Sequence, residues 1–316
     1  MRKSPCTATG RRRRAAAVAA ALLLAGGLLA GCTSLFFFPG RQQVLSPQQL
    51  GLVSRDITLH AADGTRLFAW HLQAAEPRGI VCFFHGNAEN ISTHIVNVAW
   101  LPPAGYDVLL ADYRGYGASA GEAEFPEALE DVQAALDWCL AAGKLRGLPV
   151  YAFGQSLGAA MTLAVAAREP NRARLAAVVA DSGFSDYRRI ARDVLSQSWL
   201  LAPLKYPLSW LVTAGHAPER AVAALEGVLL LVMHSVDDRI VPYAHAGQLL
   251  AKARGPVCFL PTHGPHNAAL NPGFAGSGAY RSALLDFLAA TQAEGGFRCP
   301  PSLRAGFVPA QRLPGG

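Results

Sequence analysis

Between Arg55 and Ala290 the chain alternates short apolar runs with longer amphipathic stretches, and few architectures accommodate that rhythm. GIVCFFHG, YDVLLAD, PVYAF, LAAVVAD, GVLLLVMHS and GPVCFLP are short and almost free of charge, as strands buried on both faces must be. Between them HIVNVAWL, FPEALEDVQAALDWCLAAG, LGAAMTLAVAARE, AHAGQLLAKAR and AYRSALLDFLAA read as helices. In the second of these, Leu129, Val132, Leu136 and Leu140 fall at helical spacing, with Gly143 as the expected stop. Ahead of them RDITLHAADG and TRLFAWHL form a hairpin turning at Asp63-Gly64. The expectation is one α/β domain, a mainly parallel sheet with helices on both faces. No fixed-period repeat is visible.

The N-terminal stretch has a different character. Arg11 to Arg14 precede 17 uncharged, mostly apolar residues, Ala15 to Gly31. That is short of the roughly 20 residues a spanning helix needs, and it ends in small residues, as a cleaved signal does. Leu29-Ala30-Gly31-Cys32 resembles the lipobox of bacterial lipoproteins, which implies lipid on Cys32 and cleavage before it. An uncleaved anchor, or secretion with an incidental cysteine, is the alternative. The expected organisation is a signal at 1–31, a membrane-proximal tether at 32–53, a domain at 54–292 and a disordered tail at 293–316. The location implied is the cell envelope, lipid-anchored and facing the periplasm.

This organisation removes the electrostatic case for nucleic acid. The whole chain is +6, but residues 1–31 hold six of the 28 basic residues and none of the 22 acidic ones. What remains is balanced at 22 of each, so nothing favours a polyanionic partner. Cys82 and Cys258 lie in apolar strand-like runs and are expected as buried free thiols. Cys139 falls on a helix and Cys299 in the tail. No C-x-x-C spacing marks a zinc or redox site.

Two segments match G-x-S-x-G. GQSLG, residues 154–158, stands between the strand-like VYAF and the helical LGAAMTLAVAARE, where a strained turn can lift the Ser156 hydroxyl above the sheet. GASAG, residues 117–121, lies in a loop past VLLAD, so Ser119 reads as a loop serine. The same loop fits G-x-G-x-x-A from Gly115 to Ala120, but it opens no helix and gives no dinucleotide site. A nucleophilic serine needs a base, and the base an orienting acid. Downstream, HSVDDRIVP and THGPHNAAL both follow strands, at the carboxyl edge where open parallel sheets gather their sites.

With FFHGNA, DYRGYG and GQSLG, and those two segments in order, residues 54–292 resemble the alpha/beta-hydrolase superfamily, in its branch of single-domain serine hydrolases. The resemblance implies Ser156 as nucleophile, Asp238 as acid and His266 as base. Ser235 stands where the family usually has glycine. Asp237 is then a solvated loop acid, and Asp181 in VVADSGF is the alternative acid, because some relatives take theirs from the preceding strand. The amides of Leu157 and Asn87 would form the oxyanion hole. His85 would be structural, and Tyr113 and Arg114 would support the loop that follows it. His263 and His266 lack the further ligands of a metal pair.

The resemblance implies an enzyme without cofactor or metal, hydrolysing a small ester-like acyl substrate through an acyl-enzyme. A peptidase or thioesterase on the same scaffold is one alternative, and a non-catalytic envelope lipoprotein is another. The long connection between LAAVVAD and GVLLLVM implies a short helical cap at about 183–226. Its Trp199, Leu200, Leu201, Leu204, Tyr206, Leu208, Trp210 and Leu211 are expected either to pack the cap down or to line an apolar acyl pocket over Ser156. The second case would favour medium-chain esters, because each buried methylene is worth about 0.8 kcal/mol.

Overall fold

The computed structural model describes residues 37–212, 215–293 and 297–304. The expected signal and Cys32 lie outside them. Eight strands form one sheet: β1 (Ser54–His60), β2 (Arg66–Leu72), β3 (Ile80–Phe84), β4 (Asp107–Ala111), β5 (Val150–Gln155), β6 (Ala177–Asp181), β7 (Leu229–Ser235) and β8 (Val257–Thr262). Their order across it is β8-β7-β6-β5-β3-β4-β2-β1. β2 runs antiparallel to both neighbours, and every other pair is parallel. Six helices matter for the layers: α1 (Ala128–Arg146), α2 (Leu157–Ala166), α3 (Tyr187–Ser196), α4 (Pro218–Ala224), α5 (Ala244–Lys252) and α6 (Ser277–Ala290).

Pleating explains the uniformly apolar strands, because successive side chains feed opposite cores. In β3, Ile80, Cys82 and Phe84 join one core while Val81 and Phe83 join the other. The first core is closed by α1, α2, α4 and α5, the second by α6 and the segment around Ile91, Ile95 and Val98.

Several sequence expectations are corrected. Helix α1 runs through Gly143, which is buried so close to Val150 that a Cβ would meet Cγ2 at 2.4 Å. The stop is Gly147, at φ 65°. HIVNVAWL forms only the short turns Ile91–His94 and Ile95–Asn97, with Pro102 and Pro103 close behind. The tether does not hang free: Phe37 is buried against the Tyr116 ring at 6.3 Å, and Phe38-Pro39 pairs in parallel with Ala88-Glu89.

The tail departs most. Cys258 is not a free thiol but is bonded to Cys299, and the following Pro301–Arg304 turn packs beside β8 with Leu303 fully buried. Apolar anchors as sparse as Leu303 and Phe297, the latter against Phe287, leave no period for a sequence to display. Cys82 and Cys139 are free and buried, and burial pushes the Cys82 thiol up. A cross-link spanning 41 residues removes loop entropy from the unfolded chain worth about 4 kcal/mol. Cys299→Ser should therefore lower unfolding free energy by about 2–4 kcal/mol, read as a shifted denaturant midpoint under non-reducing conditions.

The cap consists of α3, a turn at Ala202–Leu204, a short helix at Lys205–Ser209, and α4. Leu208 and Leu211 are half-buried, but the other six apolar residues expected to pack or line a pocket take neither role. Trp199 is 88% exposed, Trp210 70% and Leu200 65%, and Leu201, Leu204 and Tyr206 also face solvent.

Candidate active site

The elbow is built by close approach. Ser156 holds φ 54° and ψ −117°, a strained conformation for a residue with a Cβ, and its amide donates to the Asp181 carbonyl at 2.9 Å. The two glycines of GQSLG make room for the turn. A Cβ on Gly158 would lie 2.2 Å from the Phe84 carbonyl oxygen, and one on Gly154 would lie 2.4 Å from that of Gly158. Ser156 is thus fixed at the head of α2, where Leu157 is the first helical residue and its N–H has no partner one turn back.

The three side chains singled out from the sequence meet there. Ser156 Oγ lies 2.9 Å from His266 Nε2, and His266 Nδ1 lies 2.6 Å from Asp238 Oδ2. The other carboxylate oxygen, Oδ1, accepts from the Ile240 and Val241 amides, both at 2.9 Å. Burial works to raise the Asp238 carboxyl. The hydrogen bond to His266, that ring's charge and the two amides outweigh it and hold the group below its ordinary value. The carboxylate therefore stays ionised beside the imidazole, and the bond to it leaves Nε2 as the acceptor for serine.

The rejected candidates have other work. Ser119 is buried: its hydroxyl donates to the Asp112 carbonyl at 2.8 Å and accepts from the Phe68 amide at 2.9 Å. Asp181 accepts from Gln155 Nε2 at 2.8 Å and Ser182 Oγ at 3.0 Å, and burial pushes its carboxyl up. Asp237 is paired with His263 at 3.2 Å and with the Gly264 amide at 3.1 Å.

A second Ser–His–Asp arrangement had no sequence signal. Ser185 Oγ lies 2.9 Å from His245 Nδ1, and His245 Nε2 lies 2.9 Å from Asp193 Oδ2. Ser185 is fully buried, and its hydroxyl donates to Gln248 Oε1 at 2.6 Å. It joins the loop after β6, the cap helix α3 and α5, and presents no nucleophile to solvent.

The loop after β3 carries Asn87 and is braced from beneath. Tyr113 donates to the His85 carbonyl at 2.9 Å, as the resemblance implied. Arg114 does not brace it; its guanidinium is taken by Asp131 and Asp63. Tyr116, which the sequence reading passed over, supplies the missing support by donating to the Asn87 carbonyl at 2.7 Å. Its place as the second tyrosine of DYRGYG was the available signal. His85 is fully buried, with Nδ1 donating to the Gly86 carbonyl at 2.7 Å. His94 donates from Nε2 to the Ala88 carbonyl at 3.0 Å, and burial, with the nearby His85, brings it down to about 4, so it stays neutral. Among the described residues no cluster of three or more His, Cys, Asp or Glu side chains could hold a metal.

With this geometry in place, similarity to known proteins is informative. A family model described as serine aminopeptidase, S33, matches residues 75–214, a stretch holding Asn87, Ser156 and Leu157 but ending before Asp238 and His266. The protein YfhR of Salmonella typhi is 30% identical over 250 residues, spanning 74% of this chain and 81% of its own. The alpha/beta hydrolase domain-containing protein WAV2 of Arabidopsis thaliana is 27% identical, over 77% of this chain and 81% of its own. Among solved structures, an esterase of Pyrococcus furiosus superposes with a TM-score of 0.64 at 18% identity, covering 80% of this chain and 97% of that one. An acylaminoacyl peptidase of Pyrococcus horikoshii gives 0.59 at 15% identity, covering 80% and 44%. The chain belongs to the alpha/beta-hydrolase superfamily.

Proposed function

We propose that this protein is a serine hydrolase that cleaves an ester-like acyl substrate outside the cytoplasm, tethered to a membrane through lipid on Cys32. The observation that carries the reading is the continuous line from Ser156 Oγ through His266 to Asp238, at 2.9 and 2.6 Å. His266 takes the serine proton as Oγ attacks the carbonyl carbon, and the imidazolium that forms is held by Asp238. The developing oxyanion is met by the amides of Leu157 and Asn87, each donor worth roughly 10²–10³ in rate. His266 then gives its proton to the leaving oxygen, and water, activated by the same ring, resolves the acyl-enzyme. The fold family implies no cofactor for these steps.

Peptide hydrolysis is the second reading, favoured by the serine aminopeptidase description of the matching family model. The triad does not name the leaving group. Fluorophosphonate labelling, followed by a panel of ester, thioester and aminoacyl substrates, tests both readings. Absence of labelling on the folded protein would leave the chain a non-catalytic envelope lipoprotein.

The anchoring reading has its own test. Cys32→Ser should abolish incorporation of a fatty-acid analogue and leave the signal uncleaved at this site. A wild-type chain that takes up no label defeats it.

A further inference from the structure

The cap leaves six large apolar side chains outside the core within one short hairpin. Trp199, Leu200, Leu201, Leu204, Tyr206 and Trp210 are exposed by 88, 65, 37, 49, 55 and 70%. A soluble surface tolerates scattered apolar residues, but a cluster of this kind marks something that covers it. The composition narrows what that is. Tryptophan and tyrosine beside leucine and long cationic side chains is the combination that settles at the boundary between headgroups and acyl chains.

Charge points the same way. Residues 187–212 hold four basic residues, Arg188, Arg189, Arg192 and Lys205, and one acidic residue, Asp193. Asp193 is occupied by His245, at 2.9 Å. The Arg192 guanidinium lies 5.8 Å and the Lys205 ammonium 5.5 Å from the centre of the Tyr206 ring. Cations beside an exposed aromatic ring can snorkel to phosphate while the ring enters the interface.

Position completes the argument. The cap follows β6, and Gln197 donates to the Arg239 carbonyl at 2.9 Å, next to Asp238. On the other side of the elbow, the chain emerges at Phe37 and Phe38, where Phe38 N–H donates to Asn87 Oδ1 at 3.3 Å. Phe37 and Phe38, five and six residues after Cys32 in the sequence, therefore lie beside the same carboxyl edge of the sheet.

We infer that the exposed cap hairpin is a docking surface for an anionic lipid bilayer, which it meets with the mouth of the Ser156 site facing the headgroups. The inference rests on the proposed anchoring for delivery to the membrane. Its recognition chemistry is independent: apolar rings enter the interface while Arg192 and Lys205 meet phosphate.

The test reads tryptophan emission from the full chain mixed with phosphatidylethanolamine–phosphatidylglycerol vesicles whose acyl chains carry bromine. Of the five tryptophans, Trp199 and Trp210 are on the hairpin, while Trp70, Trp100 and Trp138 are held in the domain. Wild-type emission should be quenched, and a Trp199→Ser/Trp210→Ser double variant should lose that quenching while cleaving a water-soluble short ester at the wild-type rate. Quenching should weaken on phosphatidylcholine vesicles. Repeating the measurement in Ser156→Ala keeps the two readings apart, because quenching survives even if that chain proves still active and the hydrolase reading falls. Emission unaffected by bromine, or quenched equally in the double variant, overturns the inference. So does a tryptophan-dependent dimer in solution, which would assign the hairpin to a second copy of the chain.

Discussion

Ser156→Ala is expected to lower kcat for ester hydrolysis by on the order of 10⁴–10⁶ and to abolish fluorophosphonate labelling. The hydroxyl at 2.9 Å from His266 Nε2 is the only group that this substitution removes from the line. Two controls sharpen it. Ser119→Ala should leave labelling nearly intact, because that hydroxyl is committed to the Phe68 amide and the Asp112 carbonyl. Ser185→Ala should do the same despite its neighbours His245 and Asp193, because it is buried beneath the cap. A silent Ser119→Ala or Ser185→Ala enzyme with unchanged stability would overturn the elbow assignment.

Asp238→Asn should cost roughly 10⁴ in kcat. The carboxylate uses Oδ1 for the Ile240 and Val241 amides and Oδ2 for His266, so an amide in its place turns an N–H toward Nδ1. The ring must then move its proton to Nε2, where it can no longer accept from serine. Asp181→Asn should cost far less, since burial already pushes that carboxyl toward its neutral form, which the amide resembles. Asp237→Asn should also be mild, because that acid pairs with His263 and the Gly264 amide at the surface. Steady-state kinetics on one ester, with each variant checked for unchanged unfolding, orders the three. If Asp181→Asn proves the slowest, the acid comes from β6.

The layering was legible because burial on both faces writes itself into composition: β3 to β8 are apolar along most of their length, with polar residues such as Asp107, Gln155 and Asp181 confined to their ends, and only a covered parallel sheet needs that. The setting of Ser156 was legible for a related reason, since a serine squeezed between glycines at a strand–helix junction is a local pattern. What failed was non-local. Nothing in GGFRCPP says that Cys299 reaches Cys258, and nothing in SWLLAPLKYPLSWLV says whether an aromatic points in or out. Trp199 and Trp210 have the composition of core residues and the exposure of surface ones. Tyr116 lay between: its motif was read, but which carbonyl its hydroxyl would meet depended on a loop 29 residues earlier.

The Cys258–Cys299 bond encloses the loop that bears His266 and all of α6. That makes a covalent ring of a segment with an exposed turn, the stretch around Pro272, Gly273 and Gly276. A protease nick there would separate nothing until the bond is reduced. The cut chain would run as one species on a non-reducing gel and as two after thiol treatment, with α6 still tied to β8 in the meantime. In an oxidising compartment, then, the helix that closes the second core outlives the backbone break that would release it in a reducing one.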